Sequence, residues 1–285
     1  MVNGVIYVAT GDKYIEEALY SAASLKRYMP HLPVTLFTDR DVESPYLDQL
    51  VLVDEAHSAK RAKIHYMSQS PYERTLFLDT DTYICGDLTD TFDMLDHFDL
   101  AAVHENGQET YPVEQVPTSF PEYNSGVILF QNTERVRAFF QQWQTIFDSE
   151  TWIVKGRHFD QPSFRQALYE SDLRIATLTS QYNCHFVDGG CVAGEIKILH
   201  RRSNFDFPVV EKVLNQTIRP RIYIADRAYV TNKIGGLVPR VEAQQLGVFG
   251  KAPQQLVVER WQKYLEREGL RGTLHRAWKR LRGKV

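Results

Sequence analysis

A short apolar run that ends in two closely spaced acids constrains the fold of this chain more than any other feature. Residues 76–78 are Leu-Phe-Leu, and Asp79 and Asp81 follow in the sequence TLFLDTDTYICG. Such a run predicts a short buried strand, and open α/β sheets bind ligands beyond the carboxyl ends of their strands. Two carboxylates there, separated by the small Thr80, suit a divalent cation such as Mg²⁺ or Mn²⁺ that also holds a diphosphate.

Composition argues against several other classes of protein. The chain of 285 residues is 43% apolar, which is ample for a packed core, and its net charge of −3 gives no support for nucleic-acid binding. The three cysteines, Cys85, Cys184 and Cys191, lack C-x-x-C spacing, which argues against disulfides or a zinc site and is typical of a reducing cytosol. The N-terminal sequence is unlike a signal peptide, and no run is long enough to span a membrane. We therefore expect a cytoplasmic protein with no nucleic-acid partner.

The first half of the chain alternates between strand and helix patterns. Strands are predicted at residues 5–10, 34–37, 50–53 and 76–79, and helices at residues 14–28 and 59–69. Strands separated by helices of this length imply a mostly parallel sheet with right-handed crossovers.

The middle of the chain has a different pattern. Strands predicted at residues 100–103 and 126–130 are separated by a long polar loop, and loops of that length are usually functional or disordered. A helix over residues 133–147 has Thr133 as its candidate N-cap. A second helix, over residues 160–170, begins Asp-Gln-Pro, with Pro162 in the first turn, where proline is tolerated. A strand over residues 196–199 ends at His200.

Five segments occur in a characteristic order. They are ATGDKY at residues 9–14, LFLDTDTYICGDL at 76–88, YNSGVILF at 123–130, FDQP at 159–162, and the strand-end His200. This ordered set, over residues 4–202, resembles the GT-A nucleotide-sugar glycosyltransferases, and within them the retaining, family-8-like group that includes glycogenin and bacterial lipopolysaccharide galactosyltransferases. The resemblance implies a single GT-A (Rossmann-like) α/β domain with a mixed, mostly parallel central sheet at residues 1–250, followed by a C-terminal helical extension at residues 251–285.

The resemblance also implies a metal site. Asp79, Asp81 and His200 match the ligands of the family, in which the first acid also touches the donor sugar or ribose and the second is the firmer ligand. A neutral imidazole suits Mn²⁺ better than Mg²⁺. The alternative for His200 is a structural role, which is the commoner role of a lone histidine.

Nucleotide binding is expected at two places. Ala9, Thr10 and Gly11 lie between a strand and a helix, where backbone groups and a helix N-terminus can hold a nucleotide. Tyr14 matches the tyrosine that stacks on uracil in the family, and its alternative is a half-exposed aromatic at a helix start. Asp12 could accept a hydrogen bond from the base edge or act as a helix N-cap.

Basic residues near the metal are candidates to offset the diphosphate charge. Lys63, on the helix before the metal strand, lies at about the position of a basic residue in the family. Lys60 and Arg61 are alternatives, and a solvated helix face would explain all three. Arg201 or Arg202, just after His200, is the candidate to replace a lysine of the family.

The donor sugar is expected to meet residues from two further segments. Asn124 and Ser125, with the small Gly126, match the family's F-N-x-G segment, although asparagine and glycine also favour turns. Asp160 would bind sugar hydroxyls and Gln161 would stabilise the β-face of an oxocarbenium-like centre, and a helix cap is the alternative for this pair.

The sequence departs from the family pattern in three respects. Pro162 stands where the family often has a third acid. The residues after His200 lack the family's glycine, lysine and Pro-Trp pair, which bears on the expected retention of stereochemistry. His104 has no role in the pattern.

The last residues of the sequence differ in composition from the rest of the chain. Residues 269–285 contain six Lys or Arg and no acid, with Leu274, Trp278 and Leu281 on one helical face. A basic amphipathic helix of this kind can lie on an anionic membrane surface, such as the inner face of a cell membrane. The alternative is a terminal helix that packs its apolar stripe on the domain.

The predicted activity is metal-dependent transfer of a hexose from a nucleotide diphosphate, expected to be UDP, to a hydroxyl of a glycan, glycolipid or protein acceptor. One alternative is a haloacid-dehalogenase-like phosphatase with Asp79 as nucleophile and Asp81 as acid-base, although that motif normally opens its domain and 78 residues precede Asp79 here. The other is a protein that binds nucleotide sugars without turnover.

Overall fold

The computed structural model describes residues 2–53, 59–105, 111–149, 153–154, 157–186, 190–201, 206–216, 218–224 and 229–231. The predicted extension at residues 251–285 and its boundary at residue 250 lie outside these ranges. Among the helices of the described part of the chain, none combines the length and the hydropathy needed to cross a bilayer.

The described part of the chain alternates between strands and helices. The strands are β1 Asn3–Ala9, β2 Val34–Thr38, β3 Gln49–Leu52, β4 Arg74–Leu78, β5 Thr82–Ile84, β6 Leu100–His104, β7 Tyr123–Gln131, β8 Ile153–Val154, β9 Arg157–His158, β10 Ile175–Leu178, β11 Gly190–Val192, β12 Ile198–His200, β13 Arg221–Ile224 and β14 Tyr229–Thr231. The α-helices are α1 Asp12–Lys26, α2 Ala59–Met67, α3 Glu134–Ser149, α4 Gln161–Glu170 and α5 Phe207–Leu214. Short 3₁₀ helices lie at Thr89–Asp96 and Ser180–Tyr182.

A seven-stranded sheet organises the fold, in the order β10-β6-β7-β4-β1-β2-β3. All its strands run in one direction except β7, which is antiparallel to both β4 and β6. The predicted α/β fold with a mixed, mostly parallel sheet is therefore confirmed. Because β7 is reversed, its first residues lie at the same edge of the sheet as the carboxyl ends of β1, β4 and β6.

Helices cover both faces of this sheet. On one face α1 buries Ile15, Ala18, Ala22 and Leu25, a spacing that places them along one side of the helix. On the other face α2, α3 and α4 pack around Trp143, which is fully buried. The core therefore holds the strand ends rigidly from both sides.

A two-stranded sheet next to the main sheet positions the histidine. β5 begins three residues after Asp79 and pairs antiparallel with β12, so that His200 lies opposite Thr82. Tyr83, Phe186 and Phe207 pack beneath this pair in a separate apolar cluster. The pairing brings residues that are over a hundred positions apart in sequence to one place.

The strand β7 begins earlier than predicted. Its first residue, Tyr123, pairs with His104 of β6, so residues 123–125 lie in the strand and the turn alternative for Asn124 and Ser125 is wrong. The residues before it, 111–122, are held by Arg165, whose guanidinium donates to the carbonyl oxygens of Tyr111, Pro117 and Phe120.

The helix starts also bear on the predictions. Gly11 is the N-cap of α1, with a φ of 82° that favours glycine, so the N-cap alternative for Asp12 is wrong. Asp12 instead forms an ion pair with Arg40 at the surface. Thr133 caps α3 as predicted, because its Oγ1 accepts a hydrogen bond from the Val136 amide at 3.3 Å.

Candidate functional site

The polar residues of the site collect at one edge of the seven-stranded sheet. Asp79 follows β4, Glu105 follows β6, and Asn124 and Ser125 open the reversed strand β7 at the same edge. The Asp79 amide donates to the Gly126 carbonyl oxygen at 2.7 Å, which ties the two segments together. The sheet topology therefore dictates that these side chains meet.

Asp79, Asp81 and His200 form a group that could hold a metal ion. One ligand atom from each lies within 4.8 Å of the others. The His200 Nε2 atom is 3.3 Å from Asp81 Oδ1 and 3.8 Å from Asp79 Oδ2. Ligands at the 2.0–2.1 Å preferred by Mg²⁺ can be at most about 4.2 Å apart, so both contacts fit a shared cation. Two carboxylates and one imidazole are a chemically suitable donor set for Mn²⁺ or Mg²⁺.

Gly126 leaves the space that this group occupies. A Cβ atom at this position would lie 2.2 Å from His200 Cε1 and 2.8 Å from Asp79 Oδ2. The glycine is therefore required by close approach of the two side chains to the β7 backbone.

Hydrogen bonds define which nitrogen of His200 faces the acids. The amide of Asn183 donates to Asn124 Oδ1 at 2.8 Å, so its own Oδ1 atom accepts from His200 Nδ1 at 2.8 Å. This assignment places the proton on Nδ1 and leaves Nε2 for a cation. His185 supports the same ring, with its Nε2 atom 2.8 Å from His200 Nδ1. Burial opposes a charge on His200, but the carboxylates of Asp81 and Asp79 outweigh it and raise its pKa.

A group of charged and polar residues, buried except for the partly exposed Asp79, lies beside the metal group. We call it the donor cluster, and it consists of Lys63, Asp79, Ser125 and Asp160. The Lys63 Nζ atom is 3.0 Å from Asp160 Oδ2, 3.2 Å from Asp79 Oδ1 and 3.0 Å from Ser125 Oγ. The side chain of Lys63 is only 9% exposed, so a solvated helix face does not account for it. Burial works against its charge, but the carboxylates of Asp160 and Asp79 outweigh burial and raise the pKa of the ammonium.

The pKa values of the two acids in the donor cluster shift in opposite directions. Burial alone would raise the pKa of Asp160, but Lys63 and Lys60 outweigh it and lower that pKa to about 2. Burial raises the pKa of Asp79 despite the neighbouring Lys63 and His200. Asp160 is therefore the acid that Lys63 holds most firmly in its ionised form.

Asp160 occupies the N-cap position of α4, but its side chain makes no capping hydrogen bond. It accepts instead from Ser125 Oγ at 2.8 Å. The helix-cap alternative therefore does not account for this carboxylate. Of the other two basic candidates, Lys60 lies 3.9 Å from Asp160 Oδ1, whereas Arg61 is bonded to Asp148 on the surface.

A cavity opens onto the donor cluster and contains most of the predicted nucleotide residues. It is lined by Val8, Ala9, Thr10, Tyr14, Lys60, Lys63, Asp79, Thr80 and Asp160. Gly11 is not in the lining, and its amide donates to Asp39 Oδ1 at 3.0 Å. Thr80 lies in the lining and donates to Glu17 Oε2 at 3.1 Å. The Arg201 amide donates to the Asp81 carbonyl oxygen at 3.1 Å, and Arg202 lies outside the described residues.

A second polar group, which we call the glutamine cage, surrounds Gln161 with Glu105, Glu122 and Asn124. The Gln161 Nε2 atom donates to Glu105 Oε2 and to Glu122 Oε1, at 3.1 Å each. Asn124 Nδ2 also donates to Glu105 Oε2, at 2.7 Å. Glu105 and Glu122 were not predicted from the sequence, although an acid directly after β6 resembles the acid directly after β4. His185 and Asn183 gave no sequence signal.

His104 belongs to neither group. Its Nε2 atom is 3.1 Å from Thr177 Oγ1, and its ring packs edge-to-face on Tyr123. Burial lowers its pKa, as expected for a neutral histidine that packs between strands.

Known proteins resemble this chain in family and in fold. A family model described as nucleotide-diphospho-sugar transferase matches residues 74–224, just over half of the chain. No curated protein sequence matches the chain.

Two glycosyltransferases are among the solved structures that share the fold. One is the galactosyltransferase LgtC in complex with donor and acceptor sugar analogues, with 13% identity and a TM-score of 0.54 over 70% of this chain and 87% of that one. The other is the glycosyltransferase GlyE of Streptococcus pneumoniae TIGR4, with 18% identity and a TM-score of 0.53 over 91% of this chain. The match spans 63% of the GlyE chain. The predicted GT-A fold is confirmed by these likenesses.

Proposed function

The chain belongs to the nucleotide-diphospho-sugar transferase family, and from this we propose that it transfers a hexose from a UDP-sugar to an acceptor hydroxyl with the help of Mn²⁺. The observation that carries the proposal is the meeting of Asp79, Asp81 and His200 beside the cavity that holds Tyr14, Thr10 and the donor cluster. The metal group and this cavity therefore share one edge of the sheet.

Asp79, Asp81 and His200 would hold the cation, and Gly126 leaves room for the side chains of Asp79 and His200. When bound, a divalent cation neutralises the leaving diphosphate as a Lewis acid. His200 offers Nε2 because its Nδ1–H donates a hydrogen bond to Asn183 Oδ1. Mn²⁺ is favoured over Mg²⁺ because one of the three ligands is an imidazole.

The other residues bind and orient the donor. Tyr14 would stack on the base, with the backbone at Ala9 and Thr10 against the nucleoside. Lys63 offsets the charge of both Asp79 and Asp160, and it contributes a cation beside the diphosphate. Asp160, held ionised by Lys63, would accept hydrogen bonds from the sugar hydroxyls.

Retention in a single displacement step requires that the acceptor attack the face from which the diphosphate leaves. The bond from the sugar carbon to the diphosphate oxygen breaks as the bond to the acceptor oxygen forms, and the acceptor proton passes to the departing phosphate oxygen. Positive charge develops at the sugar carbon in between. Gln161 would stabilise that charge with its carbonyl oxygen, and Asp160 would add to the negative field around it.

The phosphatase alternative is wrong, because the chain belongs to a sugar-transferase family and has the GT-A fold. Asp79 follows the fourth strand of the sheet and lies against Lys63 and His200. The remaining alternative, binding without turnover, is tested by measuring release of UDP.

Calorimetry with UDP and Mn²⁺ tests the metal assignment. We expect the Asp81→Ala variant to lose Mn²⁺-dependent UDP binding and to keep its fold, because Asp81 lies beyond a strand end. The exposed Asp93→Ala serves as a matched control and should bind as wild type does. Unchanged binding by a folded Asp81→Ala variant would overturn the assignment. A thermal-shift panel of UDP-, GDP- and dTDP-sugars identifies the nucleotide, because ligand binding to the native state raises its stability.

The location and acceptor are proposals drawn from the sequence. The three cysteines are free, which agrees with a reducing cytosol. The basic segment at residues 269–285 lies outside the described residues, and we propose from its sequence that it attaches the protein to anionic membranes near a glycolipid acceptor. Co-sedimentation with anionic vesicles, for the full chain and a chain ending at residue 268, tests this. If the two chains sedimented equally, the membrane role of the segment would be overturned, and a glycan or a protein would be the acceptor to test.

A further inference from the structure

We propose that Glu105 and Glu122 are positioning residues that fix the side-chain amide of Gln161 for the transfer reaction. The proposal rests on the function proposed above and concerns the direction in which Gln161 presents its carbonyl oxygen. Neither glutamate lines the nucleotide cavity or belongs to the metal group. Their contacts to Gln161 therefore need an explanation of their own.

The contacts determine the orientation of the amide. The Gln161 Nε2 atom donates to both glutamates, so the end of Gln161 that faces them is the NH₂ group. Because the amide is planar, its carbonyl oxygen is directed away from both carboxylates. Either glutamate alone would allow the amide to rotate about its single contact, whereas two acceptors hold its plane.

Both glutamates are more deeply buried than carboxylates usually are in proteins. The side chain of Glu105 is 3% exposed, and Glu122 is 5% exposed. Within the described residues, neither forms an ion pair with a lysine or arginine. Glu105 accepts from Asn124 and Gln161, and its Oε1 atom lies 3.8 Å from His185 Nδ1. Glu122 accepts from Gln161 and from the Tyr111 amide at 2.9 Å. Burial of two carboxylates with mainly amide donors is costly for folding, which indicates that the arrangement serves the site.

The helix α4 fixes both sides of this arrangement. Gln161 and Arg165 are four residues apart and so lie on one face of the helix. Arg165 is 1% exposed and donates to three carbonyl oxygens of the segment at residues 111–120, which leads into Glu122. One helix therefore holds the glutamine and also the segment that carries one of its two acceptors.

The expected effect on catalysis is electrostatic. Hydrogen bonds from the NH₂ group to two carboxylates polarise the amide and increase the negative charge on its carbonyl oxygen. That oxygen would face the positive charge that develops at the sugar carbon. Because this oxygen is already oriented, no free energy is needed to reorganise it at the moment of reaction.

A double-mutant cycle on UDP release tests the proposal. The variants are Glu122→Gln, Gln161→Ala and both together, and the probe is the UDP-hexose that gives turnover with wild type and Mn²⁺. Glu122→Gln keeps the shape of the side chain, and we expect it to lower kcat roughly 10-fold, less than the 10²–10³-fold lost with a direct transition-state contact. KM for the donor and the affinity for UDP with Mn²⁺ should not change.

The cycle separates positioning from a structural role. In the Gln161→Ala background, Glu122→Gln should lower kcat by less than about twofold, because the residue through which it acts is absent. The exposed Glu114→Gln, in the same segment, is the matched control and should behave as wild type. Glu105→Gln provides a second arm if Glu122→Gln does not fold.

Three outcomes are decisive. Strong coupling between the two substitutions would support the proposal. Independent, multiplicative losses, or a loss of UDP affinity that accounts for the loss of kcat, would overturn it while wild-type turnover still supports the transferase function. If wild type turned over no UDP-hexose, both the function and the positioning role would be overturned.

Discussion

The donor cluster and the glutamine cage lie at the same edge of the sheet but are built on different principles. In the donor cluster one buried cation, Lys63, lies within 3.2 Å of a carboxylate oxygen of both Asp79 and Asp160. In the glutamine cage the two carboxylates meet side-chain and backbone amides, with His185 Nδ1 3.8 Å from Glu105. The comparison indicates that the first group balances charge that the fold must bury, whereas the second sets the direction of one neutral side chain.

This difference predicts where substitutions affect stability and where they affect turnover. Removing one member of a buried ion pair leaves a charge without a partner, which destabilises a protein strongly. Exchanging a carboxylate for an amide in a hydrogen-bonded group preserves shape and removes one net charge. The donor cluster should therefore be sensitive in both folding and function, and the glutamine cage mainly in function.

The largest effect is expected for Lys63→Met. The variant leaves the buried Asp160 and the partly buried Asp79 without their shared cation, so we expect a loss of about 3–5 kcal/mol in the free energy of unfolding, together with loss of donor binding. Urea unfolding measures the first effect. The matched control is Lys60→Met, one turn earlier on the same helix, whose side chain is 37% exposed and should cost less than about 1 kcal/mol. Equal losses for the two variants would contradict the distinction between a buried and a half-exposed cation.

Asp160→Asn should separate binding from turnover within the donor cluster. The substitution keeps the shape of the side chain and removes its charge, and Lys63 retains Asp79 as a partner. We expect UDP and Mn²⁺ to bind, and turnover to fall by roughly 10²–10³-fold, as when a transition-state contact is lost. Single-turnover rates with the active UDP-hexose measure this. A near-normal rate would show that Asp160 acts only on the structure.

The same variant should change the response to acid. The pKa of Asp160 is lowered to about 2 in the folded protein, against about 3.9 in an unfolded chain. A lowered pKa means that the unfolded state binds more protons, so the stabilisation is complete above pH 4 and is lost as the pH falls to 2. One carboxyl with this shift contributes at most about 2.6 kcal/mol.

Urea unfolding at pH 5, 4 and 3 tests this. The stability difference between wild type and Asp160→Asn should shrink as the pH falls, whereas the exposed Asp93→Asn should give a curve parallel to that of wild type. A constant difference at all three values would show that Lys63 does not hold Asp160 in its ionised form.

The same contrast explains what the sequence could predict. The donor cluster and the metal group contain residues that follow a strand or belong to a short ordered motif, such as Asp79 in TLFLDTDTYICG and Asp160 in FDQP. The α/β sheet was predictable because each buried strand has a compact apolar pattern. The reversal of β7 was not, since it depends on tertiary pairing with β4 and β6, and it is this reversal that carries Asn124 and Ser125 to the site.

The supporting residues could not be predicted for a related reason. Glu122, Asn183 and His185 lie in irregular segments with no periodic pattern, and their partners are set by the packing of distant segments. Glu105 was not predicted either, although the sequence carries a signal for it, because it directly follows β6 at the edge where Asp79 follows β4.

The smallest effect is expected for the stability of Glu122→Gln. The oxygen of a glutamine at this position can still accept a hydrogen bond from the Tyr111 amide. Its NH₂ group would then face the NH₂ group of Gln161, and two donors cannot bond to each other. One hydrogen bond is therefore lost, at a cost of about 1 kcal/mol. Burial raises the pKa of Glu122, despite the hydrogen bonds that it accepts from the Tyr111 amide and Gln161. A raised pKa means that ionisation opposes folding as the pH rises, and glutamine removes that penalty. We therefore expect a change within about 1 kcal/mol at pH 7, measured by urea unfolding beside Glu114→Gln. A loss as large as that of Lys63→Met would show that the two polar groups bury charge in the same way, and the comparison between them would fail.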